Sequence, residues 1–330
     1  MILDWIKEIY QLLEETIALS LSYFVNTEKR IHILYLVTSM ILAYYVYKKS
    51  QIKTSFIKYL FPKKIWASKS AIVDYSLFCF NSLIKIIFIG PYVIVGFYIA
   101  FYTDDFLLNT FGFPSESMGV TQTLILYTIT LTIVGDLATY IIHFLMHKVP
   151  VLWEFHKIHH SATTLNPITQ YRIHPIELII NNIRSIVVFG LVTGLFDYLS
   201  AHQIDKMVFL GVNIFHFIFL FLGANLRHSH VKLKYPKLVE YIFISPFQHQ
   251  IHHSNNPRHF NKNMGSKLAI WDWLLGTLVL SNSVKRIRFG IGKDEDVNYD
   301  SLFKNLVNPF KNIASFIMKY INSGNKKRVN

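Results

Sequence analysis

Five apolar runs, at about 31 to 47, 77 to 101, 119 to 142, 178 to 196 and 206 to 226, recur along the chain. Each is near the roughly 20 residues that a helix needs to cross a bilayer's hydrocarbon core. The last two are joined only by Asp197 to Asp205 and form either two spans or a shallow hairpin that re-emerges on the same side. Residues 3 to 24 carry an amphipathic pattern that suits a membrane interface. Residues 265 to 280 are apolar around Trp271, Asp272 and Trp273, too short to span and fitted to an interfacial helix whose tryptophans join the aromatic belt. Leu302, Leu306, Ile313 and Ile317 recur at helical spacing among lysines, as in a membrane-surface helix interrupted by Pro309. The pattern predicts an all-α fold, a multi-span integral membrane bundle. Its polar stretches, 143 to 177 and 227 to 262, lie between spans.

Composition agrees: 52% of the 330 residues are hydrophobic and 15% aromatic, too apolar for an ordinary soluble domain. The formal charge of +13 does not indicate nucleic acid, because the basic residues flank apolar runs instead of forming a stripe with interleaved aromatics. Lys48, Lys49, Lys53, Lys58, Lys63, Lys64 and Lys69 place the loop between the first two spans in the cytoplasm, with Asp104, Asp105 and Glu116 outside. Following the alternation, His143 and every later histidine group return to the cytoplasmic side, with either reading of 178 to 226. Lys285, Arg286, Arg288 and the tail Lys326, Lys327 and Arg328 agree. Cys79 is the only cysteine, expected as a small buried apolar residue, so neither a disulfide nor a thiolate metal site is available. Residues 1 to 30 lack a basic n-region and a small-residue cleavage site, against a removable signal peptide. Lys85, inside the second run, is expected to snorkel to the cytoplasmic interface.

Ten of the fifteen histidines fall in four tight groups: His143 and His147; His156, His159 and His160; His228 and His230; His249, His252 and His253. At about 100° per residue, positions i, i+3 and i+4 of a helix lie within about 100° of one another, so each HxxHH group can point one way. Neutral imidazole suits iron, zinc, copper or nickel. Seven or more such rings exceed what one tetrahedral ion takes, which argues for two metal ions in a cytoplasmic cap. His143 and His147, one turn apart, can share an ion or bind one each. His228 and His230 face apart on a helix, so one of them is expected to be a ligand and the other not. Asp136 lies two turns before His143 inside an apolar run, where an unpaired carboxylate is costly. It is expected to hold a ligand imidazole by its other nitrogen, the alternative being a helix-packing hydrogen bond to Tyr, Ser or Thr. His174, before Pro175, is expected in a structural or supporting role, with Arg172 and Glu177 pairing across the turn. His32, His202, His216 and His259 stand alone and are expected to be satisfied or solvated.

The segments Asp136 through His147 (DLATYIIHFLMH), Leu152 through Ser161 (LWEFHKIHHS), Tyr171 through Glu177 (YRIHPIE), Asn225 through Leu233 (NLRHSHVKL), Ser245 through Ser254 (SPFQHQIHHS) and Asn263 through Leu278 (NMGSKLAIWDWLLGTL) together resemble the fatty acid hydroxylase and sterol desaturase superfamily of membrane-bound histidine-box di-iron proteins. The resemblance spans about 136 to 278. It implies a helical membrane domain whose cytosolic cap holds two irons that activate O2, and a membrane lipid as substrate. By position, the metal ligands would be His143, His147, His156, His159, His160, His228, His249, His252 and His253, with Asp136, His174 and His230 supporting them from behind. Phe144 and Trp273 stand where many relatives carry a basic residue, which touches substrate contacts and leaves the ligands intact.

The expected activity is hydroxylation of a fatty acyl, sterol or related lipid, with desaturation on the same site as the alternative. A hydrolytic zinc protein is disfavoured because HExxH is absent, and a non-enzymatic metal or haem protein because the histidines sit at span ends and on the cap. With no haem or flavin motif evident, electrons are expected from a separate reductase or carrier. The expected organisation is an interfacial helix and two spans over 1–118, the di-iron domain over 119–285 and a basic cytoplasmic tail over 286–330. The expected location is a bacterial inner membrane or the endoplasmic reticulum.

Overall fold

The computed structural model describes residues 2–200, 208–209 and 212–326. Its helices are α1 (Ile2–Ser22), α2 (Ile33–Lys49), α3 (Phe56–Leu60), α4 (Lys63–Trp66), α5 (Lys69–Phe88), α6 (Val95–Phe111), α7 (Val120–Lys148), α8 (Pro150–His160), α9 (Pro175–Leu199), α10 (Ile214–Phe221), α11 (Pro246–His252), α12 (Ile270–Leu274), α13 (Lys293–Asp296) and α14 (Leu302–Lys326). Two-residue strands, β1 (Val208–Phe209) and β2 (Val212–Asn213), form an antiparallel pair. The fold is all-α in character. Among the described residues, four helical stretches are long and apolar enough to cross a membrane: Lys69–Phe88, Gly90–Phe111, Val120–Lys148 and Pro175–Leu199.

This set corrects the sequence reading in three places. The run at 77 to 101 is two helices, because Gly90 and Pro91 start a separate 3-10 turn that breaks the path from α5 to α6. The run at 31 to 47 is α2, whose 17 residues make about 26 Å, short for a span; Ala43 and Val46 pack against Leu226, Val231 and Leu233. In the run at 206 to 226 only Ile214–Phe221 is α-helical among the described residues, followed by the 3-10 turn Ala224–His228. Asn213 caps that helix by accepting hydrogen bonds from the amides of Phe215 and His216, at 3.0 and 3.2 Å. Gly223, at φ 91°, turns the chain out of it in a left-handed conformation that disfavours a side chain. Residues 201–207 and 210–211, including His202, lie outside the described residues, as do Lys327 and Arg328.

α9 is the central member of the bundle. α6 runs parallel to it, with Gly96 beside Phe189 and Gly194 against Ala100 and Thr103. α7 runs antiparallel, with Tyr127 and Thr193 hydroxyls 2.9 Å apart near one end and Arg184 donating to the Gly135 carbonyl at 3.3 Å nearer the other. The end of α7 that carries His143 and His147 therefore lies at the same end as the start of α9, and the cap forms there. Cys79 is exposed on α5, against the expected burial. α14 continues through Pro309 without a break.

A buried Arg172–Asp74 pair, 3.2 Å apart, joins the cap to α5. Asp74 also accepts from Asn166 (3.0 Å) and Thr169 (2.6 Å), while Arg172 donates to the carbonyls of Ile158, Ser70 and Tyr299 and to the Ser161 hydroxyl. Both charges are thus saturated with partners, as burial requires. This replaces the expected pairing of Arg172 with Glu177.

Candidate metal centre

Four elements carry the clustered histidines. His143 and His147 sit one turn apart at the end of α7; Pro150 starts α8 immediately afterwards and turns His156, His159 and His160 back against them. α11 is set by a capping box, with Ser245 accepting from the Gln248 amide and Gln248 returning a bond to the Ser245 amide, ahead of His249, His252 and His253. The 3-10 turn Ala224–His228 presents His228, after which Ser229 is extended (φ −160°, ψ 174°).

The structure brings the nine histidines together in two groups. His143, His147, His156, His160 and His252 form one; His159, His228, His249 and His253 form the other, with the nearest ring nitrogens of each group within 4.8 Å of one another. Each HxxHH segment straddles both groups instead of pointing one way. Its i and i+4 rings, about 40° apart around the helix, share a group, and the i+3 ring turns to the other. Thus His156 and His160 join His252, whereas His249 and His253 join His159.

The geometry of the nitrogens suits metal binding. Nε2 atoms approach at 3.1 Å (His143 and His156), 3.2 Å (His156 and His160), 3.1 Å (His228 and His253, and His228 and His249) and 3.3 Å (His159 and His228). Two nitrogens bound at about 2.1 Å to one ion lie about 3.0 Å apart at a right angle and about 3.4 Å apart at a tetrahedral one. The buried Nε2 atoms of His147 and His252 have no hydrogen-bond partner in the protein. The outward nitrogens meet acceptors: His143 Nδ1 donates to the Met264 carbonyl (2.7 Å), His252 Nδ1 to Lys262 (2.9 Å), His159 Nδ1 to Arg172 (3.3 Å) and His156 Nδ1 to Glu177 Oε1 (2.9 Å). A proton held on Nδ1 leaves the Nε2 lone pair facing inward. His249 is different, because the donor-only guanidinium of Arg227 lies 3.2 Å from its Nδ1. A neutral His249 then keeps its proton on Nε2, so ligation through that nitrogen would require the proton to move to Nδ1 and the Arg227 contact to open.

Burial, reinforced by neighbouring imidazoles, pushes His156, His160, His228, His252 and His253 well below the usual histidine range; burial followed by Arg227 does so for His249, and His159 falls to about 3. All seven are neutral at pH 7, the form that binds metal. A cavity of about 380 Å³ touches both groups through His143, His156, His159, His228 and His249. Another, of about 330 Å³, reaches only the first group, through His147, His160 and His252, beside Trp153.

The three supporting residues lie elsewhere. Asp136 meets no histidine: its carboxylate accepts from the amides of Lys267 (2.9 Å) and Leu268 (3.0 Å) and from Trp271 Nε1 (3.0 Å). It holds the segment that carries Met264, and through that carbonyl acts on His143. Residues 265 to 280 keep only the five-residue α12, because Asp136 and Asp272 bind amides of the preceding segment instead. His174 caps α9, accepting from the Ile176 amide at 3.1 Å and donating to the Leu306 carbonyl at 3.3 Å, outside both groups. His230 is turned away by the extended Ser229 and donates to the Tyr59 carbonyl at 2.7 Å. Sequence reasoning missed Glu177 as the partner of His156, along with Arg227 and the carbonyls of Lys262, Met264 and Arg172. Glu177 was visible in the YRIHPIE segment, but assigned to Arg172; backbone acceptors leave no residue-type signal.

Residues 128–277 match the family model for fatty acid hydroxylase. An ornithine lipid hydroxylase, OlsE, of Rhizobium tropici is 31% identical over 146 residues, 44% of this chain and 39% of that protein. Alkylglycerol monooxygenase of Caenorhabditis elegans is 30% identical over 142 residues (43% and 25%), and that of Homo sapiens 26% identical over 156 residues (47% and 31%). The chain thus spans between a quarter and two fifths of the length of these curated relatives. No solved structure matches it.

Proposed function

We propose that the chain, whose residues 128–277 match the family model for fatty acid hydroxylase, is a member of that family and a membrane-bound, O2-dependent di-iron lipid hydroxylase. The observation that carries this reading is the pair of adjacent imidazole groups, five rings and four. His143, His147, His156, His160 and His252 would hold one iron and His159, His228, His249 and His253 the other. Irons so held would supply the activation of dioxygen that oxidation of a lipid C–H bond requires. The catalytic unit is residues 119–285, with 1–118 as interfacial helix and entry to the membrane and 286–330 as tail.

The protein's own groups set the conditions. Glu177, Met264, Lys262 and Arg172 hold protons on the outward Nδ1 atoms, so the inward nitrogens stay free for metal. The 380 Å³ cavity is bordered by spanning residues Lys85, Thr139, Ile142 and Asn181, which suits entry of a lipid from the bilayer. His230 meets the Tyr59 carbonyl in the basic stretch between α2 and α5, so that stretch and the cap share one side, which its lysines would make the cytoplasm, where a separate reductase or carrier would supply electrons. Hydroxylation is favoured over desaturation because the relatives are named as a hydroxylase and monooxygenases. A hydrolytic zinc site is disfavoured by the donor count, since catalytic zinc keeps about three protein ligands and an open position.

Metal analysis and lipid mass spectrometry test the reading. The purified protein should carry about two irons per chain, and His159→Ala should lose about one of them together with activity. Lipids from cells making the protein should gain species heavier by one oxygen. One zinc per chain, with hydrolysis retained without oxygen, would overturn it.

A further inference from the structure

The wall of the 380 Å³ cavity away from the histidines includes Tyr23, Lys29, Arg30, Lys85 and Tyr171. Its cations lack counter-charges: no carboxylate among the described residues lies within 4.0 Å of Lys29, Arg30 or Lys85. Aromatic rings orient them instead. Lys85 donates to the Tyr23 hydroxyl, and the Lys85 and Lys29 ammoniums lie 4.9 and 5.3 Å from the centre of the Tyr23 ring. The Arg30 guanidinium lies 5.2 Å from the Phe219 ring. Cation–π contact positions a charge without neutralising it.

Two other buried arginines have stronger partners. Arg172 is paired with Asp74 and further saturated by carbonyls, and Arg227, although it shares the Phe219 ring with Arg30 and Lys267, donates to the Ser266 and Gly265 carbonyls. Of the two carboxylates that line the cavity, Glu177 is engaged by His156, and Glu28 is exposed at the rim. Lys85 lies on a helix long and apolar enough to cross a membrane, and it is part-buried in the protein, where an ammonium without an anion is costly. It does not simply snorkel to open solvent, because it ends on Tyr23 in the cavity wall.

We propose that this cavity takes a lipid with an anionic headgroup, phosphate or carboxylate, held by Lys29, Arg30 and Lys85 while its hydrocarbon lies toward the histidines. The proposal rests on the lipid-oxidising reading of the same site and names its substrate class. Lys85 and Arg30 are then specificity-determining residues, distinct from the nine histidines.

Binding tests this separately from oxidation. The full-length protein in neutral maltoside micelles, kept without oxygen or reductant, is titrated calorimetrically with hexadecyl phosphate, palmitate, hexadecanol and inorganic phosphate. One or both anionic amphiphiles should bind about tenfold or more tighter than hexadecanol, with no heat from inorganic phosphate over the same range; which of the two wins distinguishes phosphate from carboxylate. Arg30→Gln with Lys85→Gln should cut the preference below about twofold, and Arg30→Lys with Lys85→Arg should keep it. Unchanged melting and metal content of the variants exclude misfolding, and Arg30→Gln alone, in a loop, serves if the double variant fails to fold. Equal binding of hexadecanol, an undiminished preference in the variants, or phosphate binding as tightly as its amphiphile would each overturn the proposal. So would oxidised products that are all uncharged lipids, an outcome that leaves the hydroxylase reading standing; absence of any oxidised lipid defeats that wider reading instead.

Discussion

Glu177 shows how much of the centre depends on single buried side chains outside the histidine groups. Its Oε1 meets His156 Nδ1 at 2.9 Å, and its Oε2 has no protein partner, so the carboxylate serves one ring in a closed setting. Glu177→Gln should weaken metal binding at the five-histidine group by about 10- to 100-fold and leave the four-histidine group close to normal, as read by metal titration. Asp136 acts at one remove. Its three hydrogen bonds hold 267–271, so Asp136→Asn should lower stability by about 1–3 kcal/mol in a denaturation experiment, with the His143–Met264 contact loosened rather than a ligand removed. The unaided sequence showed that Asp136 needed a partner, because carboxylates in apolar runs do. It did not show which, since amides from a segment 131 residues away carry no pattern.

At the scale of elements, the close contact of α6 and α9 is built on glycine. A Cβ at Gly194 would lie 2.3 Å from the Ala100 carbonyl oxygen, and one at Gly190 2.5 Å from Ile99 Cβ. Gly194→Ala must separate the helices, since its obstacle is backbone, and should cost about 1–3 kcal/mol, seen as a lower melting temperature in detergent. Apolar length identified α7 as a span and left α9 as a span or one arm of a hairpin, and helical spacing placed the HxxHH groups on helices. It failed where local breakers overrode hydrophobicity: at Gly90 and Pro91, which divide 77 to 101, and at Asn213 and Gly223, which bound α10. Those breakers are short-range signals that a count of apolar residues averages away.

For the whole molecule, neutral buried histidines link the fold to pH. In the folded protein burial lowers His159 to about 3 and His174 to about 4, against about 6.5 in an unfolded chain. Above about pH 6.5 both states leave these rings neutral and their contribution to stability is complete. Below it the unfolded chain takes up protons that the fold refuses, so stability falls progressively down to about pH 3 to 4. Chelator-treated protein should therefore melt at successively lower temperatures at pH 7, 6 and 5, and bound metal should blunt the fall at pH 7 and 6. A melting temperature that rose on acidification would contradict the neutral buried rings.

The amino-acid sequence by itself determined the helical membrane class and the four histidine groups, because period, length and residue type are properties of the chain read locally; which of His228 and His230 joins the other eight came only from the resemblance. Tertiary structure alone decided how those nine divide into five and four, that His159 and His252 cross between the HxxHH segments, that Glu177 serves His156 while Asp74 takes Arg172, and that Lys85 enters the cavity. Each of these depends on the angle at which distant helices meet, and a change of about 100° in facing exchanges one partner for another.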